Sequence, residues 1–320
     1  MPDPSSPPLG TLFAIGGAEA KLRRREVLRA FVEAAGGAGA RIAVVPTASS
    51  LGPEVVEVYR AVFATLGAAE VVALRPESRA EAQDPALAAR LADMTAVFMT
   101  GGNQLKLSAF ITGTAFGDAV VATHRRGAVV GGTSAGASIL AEHMIAFGGS
   151  GSTPRQRMSQ LSVGLGLLAG TVIDQHFAQR NRYGRLLSLV AQSPSLLGMG
   201  VDEDTAAVVS GGTRLEVVGR GAVTLVDGRH LVSNAWTAQP TAPLLVSGAA
   251  LHVLPAGSSF DLATRTLIGH HTAVADVEVQ ETRAAEDDLR RLASEIAAEG
   301  ISPTSYARHL RRGRRGAQSG

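Results

Sequence analysis

Five short apolar runs punctuate the first 134 residues: TLFAIGG (11–17), RIAVVPT (41–47), EVVAL (70–74), AVFMTGG (96–102) and GAVVGGTS (127–134). Each is continuously apolar rather than alternating, as a strand buried on both faces must be. Helix-like stretches lie between them. From Lys21 to Ala35 the residues Val27, Leu28, Phe31, Val32 and Ala35 fall at helical spacing before Gly36-Gly37, and Pro53 to Leu66 is the next such stretch. Buried strands alternating with helices predict an α/β fold, a doubly wound and mostly parallel sheet with helices on both faces. Glycine pairs close three of the runs (Gly16-Gly17, Gly101-Gly102 and Gly131-Gly132). Ligands of such sheets bind beyond the carboxyl ends of the strands, where glycine permits close backbone approach.

After residue 205 the texture changes. AAVVS, TRLEVVGRG, AVTLVDG and LHVLPAG are short β-like runs separated by turn signals. They are expected as antiparallel strands at the sheet edge, within one α/β domain over residues 11–280. MPDPSSPPLG (1–10) reads as a disordered lead-in, lacking the basic start and apolar run of a signal peptide. Residues 281–320 read as a helical, arginine-rich extension, with Arg308, Arg311, Arg312, Arg314 and Arg315 and no acid after residue 300.

Composition removes several chemistries. The chain has no cysteine, which excludes disulfides, zinc–thiolate sites and cysteine nucleophiles. Lys21 and Lys106 are the only lysines, so a lysine-dependent mechanism has few candidates. No metal motif with two histidines on one helical face is present, and no cofactor is expected. No run approaches 18 uncharged apolar residues, so no membrane span is expected. The net charge of +2 comes from the tail, because the body holds 25 basic against 28 acidic side chains once those five arginines are set aside. The tail carries no nucleic-acid motif, and nucleic acid is not an expected partner.

The sharpest motif is GGTSAGAS (131–138), which contains Gly132-Thr-Ser134-Ala-Gly136 after an apolar run. A serine on a tight strand-to-helix turn needs small neighbours, and the helix that follows offers its first N–H groups, beginning with Ala135, to an oxyanion. Such a serine needs a base, and the base needs an orienting carboxylate. Among eight histidines, His176 stands in the polar segment IDQHFAQRNRYGRL (173–186), beside Asp174, Gln175, Arg180, Arg182 and Arg185. Asp202, Glu203 and Asp204 in GMGVDEDTAAVV (198–209) are the carboxylate candidates. An esterase of the α/β-hydrolase type would instead order its triad Ser, acid, His, using Asp202 or Asp204 with His230, His252, His270 or His271. A non-catalytic protein whose basic tail holds an acidic polymer is a further alternative.

GGTSAGAS, VIDQHFAQRNRYGRL, LLGMGVDEDTA and MTGGNQ, in that combination, resemble the cyanophycinase family of serine peptidases, over about Leu12 to Asp227. The resemblance implies a fold like that of class I glutamine amidotransferases and dipeptidase E. It implies hydrolysis of cyanophycin, a poly-aspartate bearing arginine on each β-carboxyl, to β-aspartyl-arginine dipeptides by a cytoplasmic homodimer. Other aspartyl or isoaspartyl peptides are the alternative substrates. Carried onto this sequence, it implies Ser134 as nucleophile, His176 as base and Glu203 as orienter. Gly102 and Ala135 become oxyanion donors with Asn103 and Gln104 beside them, and Asp174, Gln175 and Arg185 become substrate-binding residues. Arg180 and Arg182 join them on charge, since a ligand with carboxylates and guanidinium groups calls for both signs. The chain departs from the family pattern at Ala20, in GGAEAK, where aspartate is common.

Overall fold

The structure is a computed structural model that describes residues 8–22 and 24–271. Most of the expected lead-in and the whole expected extension over 281–320 lie outside these residues.

Five parallel strands form the first part of the main sheet: β1 (Leu12–Ile15), β2 (Arg41–Val45), β3 (Glu70–Ala73), β4 (Ala96–Met99) and β5 (Val129–Thr133). They lie in the order β3-β2-β4-β5-β1. Successive side chains on a strand point to opposite faces, and here both faces of β1, β2, β4 and β5 are buried while β3, at the edge, is half-buried. Leu12 and Ala14 of β1 join Val97 and Met99 in one core, while Phe13 and Ile15 join Ile42, Val44 and Phe98 in another. α1 (Glu26–Ala34) and α2 (Glu54–Thr65) cover the second core with Phe31, Tyr59 and Phe63. After the short α3 (Arg79–Ala82) and α4 (Pro85–Ala89), α5 (Gln104–Ile111) and α6 (Ala115–Arg125) cover the first with Leu107, Ile111, Phe116 and Val120. The continuous apolar runs are therefore what a sheet with helices on both faces requires.

α7 (Ala135–Ser138) is a single turn after β5. A hairpin, β6 (His143–Gly148) with β7 (Ser159–Val163), precedes β8 (Thr171–Gln175), α8 (Tyr183–Gln192) and β9 (Leu197–Val201). The later strands are β10 (Thr205–Ser210), β11 (Arg214–Gly219), β12 (Ala222–Asp227), a short pair β13 (Val232–Ser233) and β14 (Val246–Ser247), β15 (Ala250–Pro255), β16 (Ser258–Asp261) and β17 (Thr266–His270). β10, β11, β16 and β17 extend the main sheet antiparallel beyond β1.

The expectation that all late strands join one sheet edge needs correction. AVTLVDG and LHVLPAG become β12 and β15, which join β9 and β8 in a second, four-stranded sheet of order β15-β12-β9-β8. Its residues Ile173, Met199, Val201, Val223 and Leu225 share the core of the main sheet, and α8 packs Leu186, Leu189 and Val190 on its other side. The expected helix from Lys21 also begins later, at Glu26, because Arg24 and Arg25 adopt left-handed backbone conformations. That leaves residues 16–22 and 24–25 outside any helix, beyond the carboxyl end of β1.

Candidate active site

Three strand ends bring three side chains together. Ser134 follows β5, His176 follows β8, and Glu203 follows β9. Ser134 Oγ lies 2.9 Å from His176 Nε2, and His176 Nδ1 lies 2.6 Å from Glu203 Oε1. A carboxylate can only accept, so Nδ1 carries the proton and Nε2 is free to accept from the serine hydroxyl. Burial holds the His176 imidazole below its ordinary pKa. The hydrogen bond it donates to Glu203 pulls it back up, and the charges of Arg180 and Arg182 depress it further. The ring is therefore neutral at pH 7, as a base must be.

The backbone of the site is strained at two of the three residues. Ser134 has φ 54° and ψ −108°, and His176 has φ 47°. Left-handed conformations at non-glycine residues persist only where the surroundings fix them. Here the end of β1 does so with three consecutive carbonyls. Ile15 O accepts the Ser134 N–H (2.9 Å), Gly16 O the His176 N–H (2.8 Å), and Gly17 O the N–H of Asp204 (2.9 Å), the neighbour of Glu203. Gly17, at φ 104°, also has its back against the imidazole, where a Cβ would lie 2.3 Å from His176 Cε1. A side chain at position 17 would displace the ring.

The three neighbouring acids separate by their partners. Asp202 accepts the N–H groups of Ala178 (3.0 Å) and Ala222 (3.1 Å), and Asp204 accepts that of Ala20 (2.7 Å). Both tie backbone segments together, and Glu203 alone meets the histidine. The histidines of the esterase alternative are elsewhere: His252 packs on Phe260, His270 bonds Ser258, and His230 and His271 are exposed.

Of the expected oxyanion donors, Ala135 follows the nucleophile as the first residue of α7, and Gly102 follows Gly101, where a Cβ would lie 3.3 Å from Ser134 Cβ. Neither N–H takes a protein acceptor among the described residues. Gly102 has φ 141°, and a Cβ there would lie 2.1 Å from Ala48 O. The helix expected to aim its dipole at the serine is only one turn long, so local N–H groups carry any anion stabilisation there.

The polar residues expected around a substrate form a connected relay. Gln104 donates to Ile145 O and Ala146 O and accepts from Gln175 Nε2 (2.8 Å), whose Oε1 accepts from Arg182. Arg182 Nη1 lies 3.2 Å from Asp174 Oδ1, and Arg185 bonds both Asp174 oxygens, with Nε at 2.6 Å from Oδ2. Asp174 is fully buried, and Arg185 and Arg182 are nearly so. The expectation that Asp174 itself faces a ligand is corrected accordingly, because its carboxylate is closed off by two guanidinium groups. Burial lowers the Arg182 pKa to about 10, against the pull of Asp174, and the group stays charged at neutral pH. Arg180 is exposed. Asn103, expected beside the oxyanion hole, caps α5 by accepting the Lys106 N–H at 3.0 Å.

An open cleft of about 360 Å³ reaches Ser134 between residues 18–21, the first turns of α2 and Gly101. Within it sits a group that the sequence reading does not assign. Glu19, buried, accepts from Tyr59 (2.6 Å) and from Thr133 (2.5 Å), the residue before the nucleophile, and pairs with Lys21 (2.9 Å). Burial and then the Glu19 charge raise the Tyr59 pKa well above its ordinary value, so the phenol remains a donor. The one available signal is that Lys21, a rare lysine in this chain, follows the first glycine pair.

The chain is similar to several known proteins. The chain is 40% identical over 257 residues to a cyanophycinase of Synechococcus elongatus, covering 80% of each protein. It is 39% identical over 259 residues to a cyanophycinase of Trichormus variabilis, covering 80% of this chain and 87% of that one. The crystal structure of a peptidase from an acI-B1 Actinobacterium shares the fold, with a TM-score of 0.56 at 22% identity over 79% of this chain and 97% of that one. Residues 12–217 match peptidase family S51. The chain belongs to that family, the cyanophycinase family of peptidases, and is a hydrolase of peptide bonds.

Proposed function

We propose that this peptidase degrades cyanophycin to β-aspartyl-arginine dipeptides from chain ends, through a Ser134–His176–Glu203 triad and an acyl-enzyme. The observation that carries the mechanism is the hydrogen-bonded chain from Ser134 Oγ through both imidazole nitrogens to Glu203. As Ser134 Oγ attacks the scissile carbonyl, His176 Nε2 takes its proton, and the Glu203 carboxylate stabilises the imidazolium. The oxyanion forms against the Gly102 and Ala135 N–H groups, which have no competing acceptor among the described residues. Collapse breaks the C–N bond as His176 returns the proton to the leaving amine. Water, deprotonated by the same nitrogen, then releases the acyl fragment and restores Ser134.

The substrate reading rests on the cyanophycinase relatives and on the charge of the site. A β-aspartyl-arginine unit presents carboxylates to the exposed Arg180 and to the Arg182 guanidinium, which Asp174 and Gln175 hold in place. Arg185 acts behind them, through Asp174. The expected assembly, a cytoplasmic homodimer, is checked by sedimentation and fractionation. Incubation with cyanophycin, followed by product identification by mass, tests the function. The dipeptide should appear from the earliest time points while the polymer shortens gradually, and Ser134→Ala should yield none. Free arginine as the first product would place the attack on the side-chain amide and overturn the reading. Hydrolysis of small isoaspartyl peptides with the polymer left intact would move the substrate to the related class.

A further inference from the structure

The cleft over Ser134 is lined by none of Gln104, Gln175, Arg180, Arg182 or Arg185. It is a second approach to the nucleophile, and among the described residues Lys21 is the one cation on its wall. We propose that Lys21 is a specificity-determining residue that binds a carboxylate of the leaving fragment. The inference rests on the serine-peptidase reading above and extends it to the far side of the scissile bond.

Two observations carry it. The first concerns the side of the reaction on which the cleft lies. The amine departs with a proton from His176 Nε2, so the leaving fragment must occupy the side of the tetrahedral centre that this nitrogen faces. The loop after β1 runs along that edge of the ring. A Cβ on Gly17 would come within 2.3 Å of Cε1 and 2.5 Å of Nε2, and four residues later the same loop presents Lys21.

The second observation is how the ammonium is held. Lys21 Nζ lies 2.9 Å from Glu19 Oε1, 3.4 Å from Glu19 O and 5.2 Å above the Tyr59 ring, with the side chain one-third exposed. An ammonium has three donors, and two of them face Glu19. The third has no acceptor among the described residues, and Lys21 lines the cleft. Glu19 also accepts hydroxyl hydrogen bonds from Tyr59 and Thr133, so its charge is shared among three donors rather than matched by Lys21 alone. A cation fixed in this way is preorganised for an incoming carboxylate. The one other charged side chain lining the cleft, Glu54, is exposed on the first turn of α2, and its carboxylate is folded back over Gly52.

The test compares a three-unit β-aspartyl-arginine oligomer with the same oligomer carrying amides in place of the carboxylates on its carboxyl-terminal unit, which every leaving fragment contains. The wild type should prefer the free acid in kcat/KM by about tenfold to a hundredfold, the range of a charged hydrogen bond, mostly through KM. Lys21→Met should bring the ratio close to one, and Lys21→Arg should keep most of it. A purely structural defect would slow both substrates together and leave the ratio intact. A wild-type ratio in Lys21→Met, or a ratio that responds to Glu54→Gln instead, overturns the proposal. A measurement without variants gives the same decision. Free β-aspartyl-arginine should inhibit the wild type at least about tenfold better than its diamide, and equal inhibition overturns the assignment. A wild type inert toward both oligomers would refute the cyanophycin reading on which the proposal rests, and the Lys21 assignment with it.

Discussion

Glu203→Gln isolates the role of the carboxylate with almost no change of shape. During attack the imidazole becomes a cation, and the Glu203 charge is centred roughly 4 Å from the ring. At an effective dielectric of about 20, that attraction is about 4 kcal/mol. The Glu203 side chain is 35% exposed, so solvent screening reduces the figure to about 2–3 kcal/mol. Glutamine brings a second loss. Its amide can donate to Nδ1, which shifts the ring proton to Nε2 and blocks acceptance from Ser134. Together these predict a fall in kcat on the order of 10² to 10³, below the 10⁴ to 10⁶ that losing a nucleophile costs. Because Glu203 raises the His176 pKa, the acidic limb of kcat/KM should move to lower pH in the variant. Steady-state kinetics on the oligomer from pH 5 to 8 measures both effects. Asp202→Asn is the contrast, since Asp202 holds the backbones of Ala178 and Ala222 and its loss should lower stability far more than turnover. A Glu203→Gln enzyme within threefold of wild type, or a larger kinetic loss in Asp202→Asn, would refute the orienting role.

Ser134→Gly should abolish turnover and stabilise the fold by about 1 kcal/mol, since glycine accepts the backbone angles that strain serine. Unchanged or lowered stability in denaturant titration would show that the strain is not released. Arg180→Gln removes a charge that depresses the His176 pKa, so the acidic limb of the pH–rate profile should rise. A limb that stays put would mean solvent already screens that exposed guanidinium. Acid should lower stability in two stages. Burial holds His124 and His176 below the ordinary histidine pKa, so the unfolded chain binds more protons, and stability falls as pH drops through about 6.5. Asp227 feels burial pushing its pKa up, yet hydrogen bonds from Arg229 and Arg265 hold it at about 2. Its stabilisation is full above the unfolded carboxylate value near 3.9 and is lost as pH falls from there toward 2. Urea midpoints at pH 8, 5.5 and 3 check both stages, and a flat midpoint between pH 8 and 5.5 contradicts the first.

The legible part of the fold is the part in which one local rule decides the outcome. β1, β2, β4 and β5 are visible because both faces of each are buried, which writes an uninterrupted apolar run into the chain, and the edge strand β3, half-buried, keeps a shorter one. The second sheet is not visible, because β12 and β15, at six residues each and bounded by turn signals, read no differently from the six-residue β11 of the main sheet. Which sheet a short antiparallel strand joins depends on its partner, and pairing across 20 or more residues leaves no local trace. The false start of α1 has a similar origin. Lys21 to Arg25 fits a helix by propensity, while the tertiary bonds of Glu19 and Ala20 hold it as a loop.

The reactive side chains were easier to find than what positions them. Ser134, His176 and Glu203 lie in segments whose polarity contrasts with the apolar strands before them. Their registration depends on Ile15, Gly16 and Gly17, which bear no reactive group and act through carbonyl oxygens. Every residue type carries that carbonyl, so no sequence pattern marks it. The glycine pair is the only visible sign, and its first reading, close approach to a ligand, is not the reason the structure supplies at Gly17. There the missing Cβ leaves room for the imidazole. The same segment continues into Glu19 and Lys21. One loop therefore sets the positions of the nucleophile and the base and lines the cleft, so a displacement of β1 of a few tenths of an ångström would change chemistry and binding together.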